Sequence, residues 1–432
     1  MSSPFVTDGY REWYNERFAM RIYFDYNATT PLAPEVAEAT TRALRDQFGN
    51  ASSLHHFGQQ AKAAIDEARS AVAALINADP SEIVFTSGGT ESDNFAIRGA
   101  ADALEPTGRR HLVASAIEHE AVLNTLKALG RRGWRTTLLP VEQSGIVSPD
   151  RLRELLTDDT ALVSVMHANN EIGTLQPVAE LAAIAHERGA LMHTDAVQST
   201  GKIPVDARAL GVDLLSLSAH KFDGPKGAGV LWIKRGTRMQ PILTGGKQER
   251  TRRAGTENVP ALVGLGVAAR LAAMKMSAEA ARVGALRDRL EEGILRSVGG
   301  TSVNGARASR VPNTTNISFD HVEAESLLIA LDLEGVAVST GSACSSGTLE
   351  PSHVLRAMGF SAHRSQNSLR FSLGMFSTDE EVDRVVSLLP AIVEKLRGLT
   401  SRRDSGFGIR DSAASSPKSR VANPESQIPN PK

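Results

Sequence analysis

The sequence predicts an α/β fold, with a large domain built on a mostly parallel sheet and a smaller α+β domain after it. Three observations carry that prediction. Short apolar runs alternate with helical patterns over about 200 residues, the signature of strands with helices on both faces. Glycine, carboxylate and lysine motifs recur where those runs end, which is where ligands bind in parallel sheets. The chain has 432 residues, 41% hydrophobic and 22% charged, enough for two or three folded domains.

In chain order, residues 1–19 hold Phe5, Tyr10, Trp13, Tyr14 and Phe18, the last four spaced i, i+3, i+4 and i+8. The spacing suggests a short amphipathic helix, either packed on the body or a partner, or an optional extension ahead of Met20-Arg21-Ile22-Tyr23. Residues 34–48 and 58–78 read as helices, 82–86 as a buried strand and 91–104 as a helix. Further strands are expected at 111–115, 135–140, 161–166, 190–194, 213–218 and 229–233, then a long helix over 259–296. The resulting division is an extension at 1–19, a large domain at 31–275, and a small domain from 20–30 and 276–400. Residues 401–432, rich in Ser and Pro and poor in apolar clusters, predict a disordered tail.

Composition narrows the function classes. Lys plus Arg total 48 against 49 Asp plus Glu, so a net charge of -1 offers no global field to hold nucleic acid or an anionic membrane. No run approaches the roughly 18 apolar residues of a membrane span, and the first 20 residues lack signal-peptide order, so a cytoplasmic protein is expected. A single cysteine, Cys344, excludes an internal disulfide and a cysteine-built metal site, which suits a reducing compartment. Gly264 to Ala269 matches a dinucleotide fingerprint in letters but lies within a helical pattern with no strand before it. Lys202 and Lys247 follow glycines without the Ser or Thr of a phosphate-binding loop, and the His55-His56 pair lacks the carboxylate spacing of a metal site.

Four segments carry chemistry. Ser87-Gly88-Gly89-Thr90-Glu91-Ser92 follows a strand and opens a helix, so its amides and the Thr90 hydroxyl can hold a phosphate; a plain strand-to-helix turn is the alternative. His193 to Gln198 delivers Asp195 to a strand end, where a carboxylate can keep a heterocyclic nitrogen protonated or simply cap a helix. Ser218-Ala219-His220-Lys221, ahead of Gly224-Pro225, crowds Lys221 so that its amine can lose a proton and form a Schiff base, unless it is a surface lysine. Together these three strand ends read as a pyridoxal phosphate site. The fourth, Ser339 to Gly347, surrounds Cys344 with small residues, so an accessible, nucleophilic thiol is the better reading.

At this point the chain resembles the pyridoxal-phosphate-dependent cysteine desulfurases of the NifS/IscS family, over about residues 21–395. The matching segments are Asp25 to Thr30, Ser87 to Ser92, Glu118 to Val122, Asn169 to Gly173, His193 to Gln198, Ser218 to Lys221, Arg253 to Thr256, Ser342 to Cys344 and Leu369 to Phe371. The residues after Cys344 look like the group with the longer catalytic loop. The resemblance implies a homodimer of the type I, aspartate-aminotransferase-like fold, with the cofactor on Lys221. Its phosphate would meet Gly89, Thr90, Ser218, His220 and, from the other subunit, Thr256; its ring nitrogen would meet Asp195 and its ring hydroxyl Gln198, while His119 would stack on its face and assist proton transfers as a catalytic residue. Asn170 and Arg370 match the positions that hold the substrate carboxylate, and Cys344 takes the sulfur of L-cysteine as a persulfide for an acceptor such as an iron-sulfur scaffold. Nitrogenase maturation and tRNA thiolation stay open as destinations. So do another activity on the same fold and a silent scaffold. Met375 stands where the family commonly carries Arg and Tyr26 where Asn is frequent, so contacts near the site entrance are expected to differ.

Overall fold

A computed structural model describes residues 21–341 and 351–406. The helix suggested for residues 1–19, Cys344 with its neighbours, and residues 407–432 lie outside the described residues.

The chain begins with β1 (Ile22–Tyr23), α1 (Pro34–Asp46) and α2 (His56–Leu75). The large domain then runs through β2 (Ile83–Thr86), α3 (Gly89–Leu104), β3 (His111–Ser115), α4 (Glu120–Gly130), β4 (Arg135–Leu139) and α5 (Pro149–Leu155). It continues with β5 (Thr160–Ser164), α6 (Val178–Glu187), β6 (Leu191–Asp195), β7 (Leu214–Ser218) and β8 (Gly229–Ile233). These seven strands form one sheet in the order β2-β8-β7-β6-β5-β3-β4. Only β8 runs against the others. The link from β7 to β8 is too short for a helical crossover, so the chain must turn straight back. That link carries Lys221.

Both faces of the sheet are covered. Along the strands Val84, Leu112, Leu214 and Leu231 belong to one apolar cluster, while their neighbours Phe85, Val113, Leu215 and Trp232 belong to the other. This period of two, with every residue buried in β3, β5, β7 and β8, explains why these strands read as mainly apolar runs, broken only by small polar residues and His111.

Helix α7 (Val259–Ser297) joins the two cores. Its first half packs on α1 and α2 so closely that a Cβ at Gly264 would fall 2.4 Å from Thr40 Oγ1, and one at Gly266 2.6 Å from Ala68 Cα. The glycines set aside as a false dinucleotide fingerprint are therefore packing glycines. By length and composition alone α7 could cross a membrane, which corrects the expectation that no segment approaches that test; its buried residues pack in the protein's own cores. Its second half, with Val283, Leu286, Leu290 and Ile294, enters a second cluster. There β9 (Thr301–Val303), β10 (Thr314–Phe319), α8 (Ala324–Leu333), β11 (Val336–Ala337), α9 (His353–Ala357), α10 (Ala362–Gln366), β12 (Ser368–Ser372) and α11 (Asp379–Gly406) follow. Strands β12, β10 and β9 make an antiparallel sheet, and β1 returns to pair with β11. Helix α11 runs to Gly406, so residues 401–406 are helical where a disordered tail was expected.

An ion pair fixes the sheet edge. Arg69 on α2 meets Glu249 through two hydrogen bonds of 2.6 and 2.8 Å, and the pair also bonds the backbone of Ile83 and Phe85 in β2. Both side chains are buried. Glu249→Ala leaves an unpaired guanidinium in the core, so thermal unfolding should show a loss of about 3–5 kcal/mol. A change under about 1 kcal/mol would mean the site relaxes or hydrates.

Candidate active site

The carboxyl ends of the parallel strands open onto a cleft of about 380 Å³, bounded on its other side by the small domain. At the end of β2 the chain turns through Gly88, whose φ of +155° and ψ of -177° favour glycine. Helix α3 starts at Gly89, earlier than its sequence pattern suggested, and no side chain caps it. Its first amides and macrodipole thus form an anion site beside Gly89 and Thr90. Ser218 at the end of β7 lines the same cleft, and its Oγ is buried without a hydrogen-bond partner. Such an orphan is costly unless a ligand oxygen meets it. Glu91 stays ionised nearby: burial pushes its carboxyl up, but hydrogen bonds from Arg253 and Ser87 hold it below its ordinary range.

Strand β6 delivers Asp195, whose Oδ1 accepts from Val197 N at 2.9 Å. Burial pushes this carboxyl up against the pull of the Val197 amide and the charges of His119 and Lys221. Asp93 on α3 lines the cleft too, driven well above its ordinary range by burial and by Asp195. The sequence reading missed Asp93, because an acid in a helical pattern looks like a solvated one.

Past β7, His220 and Lys221 lie in a single helical turn. Lys221 Nζ donates to the carbonyls of Asn27 (2.6 Å) and Ala28 (2.8 Å). Burial, reinforced by the Arg370 guanidinium, lowers its amine to about 8, with Asp195 and Asp25 pulling the other way. Burial and the neighbouring lysines lower His220 to about 4, and its Nδ1 meets Thr29 Oγ1 at 3.2 Å. His119 caps α4, with Nδ1 accepting from Ala121 N at 3.1 Å, which leaves Nε2 for the cleft.

Arg370 on β12 reaches in from the small domain. Its Nη2 donates to Asp25 Oδ1 at 2.6 Å and its Nη1 to Asn170 O at 3.0 Å, while Nε is buried and unpartnered. Its backbone pairs with Ser339 in both directions, which brings Ser339 and Gly341 onto the cleft wall.

The structure therefore brings together Gly89, Thr90, His119, Asn170, Asp195, Gln198, Ser218, His220, Lys221 and Arg370. Thr256 is exposed and does not line the cleft of its own chain. Cys344 lies outside the described residues. Tyr26 and Met375 do not line the cleft: both line a second cavity, of about 180 Å³, which Lys221 also lines. Tyr26 is buried against Gly374, where a Cβ would fall 2.0 Å from its ring. Sequence reasoning gave no role to Asn27, which lies within a quoted motif, or to Lys202, set four residues after Gln198.

Comparison with known proteins agrees with this geometry. Residues 22–385 match the family Aminotransferase class-V. A cysteine desulfurase IscS of Dictyoglomus turgidum is 50% identical over 379 residues, 88% of this chain and 96% of that protein. A solved NifS-like protein superposes with a TM-score of 0.80 at 38% identity, covering 88% of this chain and all of the other. SspA, solved in complex with cysteine, gives a TM-score of 0.73 at 35% identity over 83% of this chain and all of its own.

Proposed function

The chain belongs to the cysteine desulfurases of the class-V aminotransferase family, and from that premise we propose that it moves the sulfur of L-cysteine onto Cys344 and releases L-alanine. The observation that carries the reading is the cleft itself. A buried lysine amine, a buried carboxylate and an uncapped helix start meet there, and Gly341 on its wall precedes the sole cysteine by three residues.

Pyridoxal phosphate, the cofactor of this family, supplies when bound an electron sink for the substrate's α-carbon. The residues present fit it. The unpartnered Ser218 hydroxyl, Thr90 and the start of α3 suit its phosphate, with His220 beside them. Asp195 suits a protonated ring nitrogen, Gln198 a ring hydroxyl and His119 a ring face. Thr256 completes the phosphate set from a second copy of the chain, which makes the working enzyme a homodimer.

The substrate carboxylate binds at Arg370 Nε, the guanidinium nitrogen left free by Asp25 and Asn170, with Asn170 alongside. Lys221 Nζ takes the α-proton and returns it, a task suited to an amine lowered to about 8. The Cys344 thiolate attacks the substrate sulfur. An S–S bond forms, the C–S bond breaks, and its electron pair takes a proton to give alanine, so no external oxidant or reductant is needed. The persulfide then passes to an acceptor protein of iron-sulfur or related sulfur-cofactor assembly, in the cytoplasm, where thiols stay reduced.

Incubation of the cofactor-loaded protein with L-cysteine and a thiol reductant should give alanine and sulfide in equal amounts. Formation of neither product overturns the reading.

A further inference from the structure

Between the cleft and the second cavity lies a lysine that none of these steps uses. Lys202 Nζ donates to Gln198 Oε1 at 2.7 Å and to Asn27 Oδ1 at 3.1 Å, and its side chain lines the second cavity. We infer that Lys202 is a positioning residue, which locks the amides of Gln198 and Asn27 so that Gln198 offers an N–H, never its oxygen, to the ring oxygen of the cofactor. The inference rests on the pyridoxal phosphate reading of the cleft.

An ammonium group carries three donors and no acceptor, so any amide atom that meets it must be the oxygen. With Oε1 turned to Lys202, Gln198 Nε2 faces the other way and donates to Asn27 O at 3.0 Å, leaving a second N–H. With Oδ1 turned to Lys202, Asn27 Nδ2 donates to Asn170 O at 3.1 Å and to Thr314 Oγ1 at 2.8 Å. The Asn27 carbonyl, fixed by this arrangement, also accepts from Lys221 Nζ. Asn313 Nδ2 also donates to Asn27 Oδ1, at 3.0 Å, so Lys202 shares the hold on Asn27, while at Gln198 Oε1 it is the donor that fixes the amide. Lys221, Arg370 and Asp223 are the charged groups that face Lys202. Even as a neutral amine Nζ keeps two N–H groups, one for each amide oxygen. Without Lys202 only the Asn27 carbonyl still holds the Gln198 amide, so its second N–H is held less firmly toward the ring oxygen and donates to it less strongly.

The test is the pH midpoint of the visible absorption of the bound cofactor, measured for the wild type, Lys202→Met, Gln198→Ala and the double variant. A lost donor makes the ring oxygen more basic, so Lys202→Met should raise the midpoint by about 0.5 pH unit or more. In the Gln198→Ala background the same substitution should change nothing, because Lys202 acts through Gln198. No shift in the single variant, or an equal shift in both backgrounds, overturns the inference; the second result would mean that the lysine acts by its charge alone. Should Lys202→Met not fold, Lys202→Leu, which likewise offers no donor, takes its place in the same cycle with the same expected direction. A wild type that binds no pyridoxal phosphate would instead overturn the reading of the cleft, and is told apart by the missing absorption.

Discussion

Cys344→Ser is expected to bind pyridoxal phosphate as the wild type does, yet to produce alanine from L-cysteine at least about a thousandfold more slowly. The size of the effect follows from the sequence. The chain has no second cysteine, and its nine methionines carry no S–H, so nothing else can accept the sulfur as a persulfide. A serine hydroxyl is barely ionised at neutral pH and is a far weaker nucleophile toward sulfur than a thiolate. Cofactor binding should survive because the groups proposed to hold it, Ser218, Asp195 and Lys221, sit at strand ends of the large domain. The comparison needs two readings of one sample, visible absorption for the cofactor and alanine for turnover. Alanine at the wild-type rate would remove Cys344 from the reaction and leave another chemistry on the same fold.

Much of this arrangement was legible in the sequence, for physical reasons that differ by element. The strands could be read because both faces of the sheet are covered, which makes β3, β7 and β8 mainly apolar runs. Lys221, Asp195 and the Ser87 to Thr90 turn could be read because parallel strands deliver their carboxyl ends to one place. Lys202 could not: its meaning depends on Asn27, 175 residues earlier in the chain, and on which way two amides point. Asp93 was hidden likewise, since its neighbour Asp195 belongs to a different strand end. Tyr26 and Met375 could be recognised as departures, but only the folded chain shows that they share a second cavity with Lys221. The start of α3 at Gly89 also escaped the pattern, because Gly88, Gly89 and Thr90 look like one turn while the backbone is helical from Gly89 onward.

Lys221 sets the other large effect. Lys221→Ala removes the amine proposed both to hold the cofactor and to carry the α-proton, so alanine formation should fall by about a thousandfold or more. The wild type offers a finer check through pH. Only the neutral amine can attack the cofactor's carbonyl carbon, and an ordinary lysine at pH 7 is neutral about once in 3,000. Burial and the Arg370 guanidinium disfavour the ammonium form and bring Lys221 to about 8, so about one amine in ten is neutral at pH 7. Uptake of pyridoxal phosphate by the cofactor-free protein should therefore quicken about tenfold per pH unit up to about pH 8 and level off above it. A rate still climbing beyond pH 10 would mean the amine is not lowered in solution. Arg370→Ala adds the sign: removing the neighbouring cation favours the ammonium form, so the break must move to higher pH. A break that stays in place would assign the lowering to burial alone, and one that moves down would contradict the sign given to Arg370.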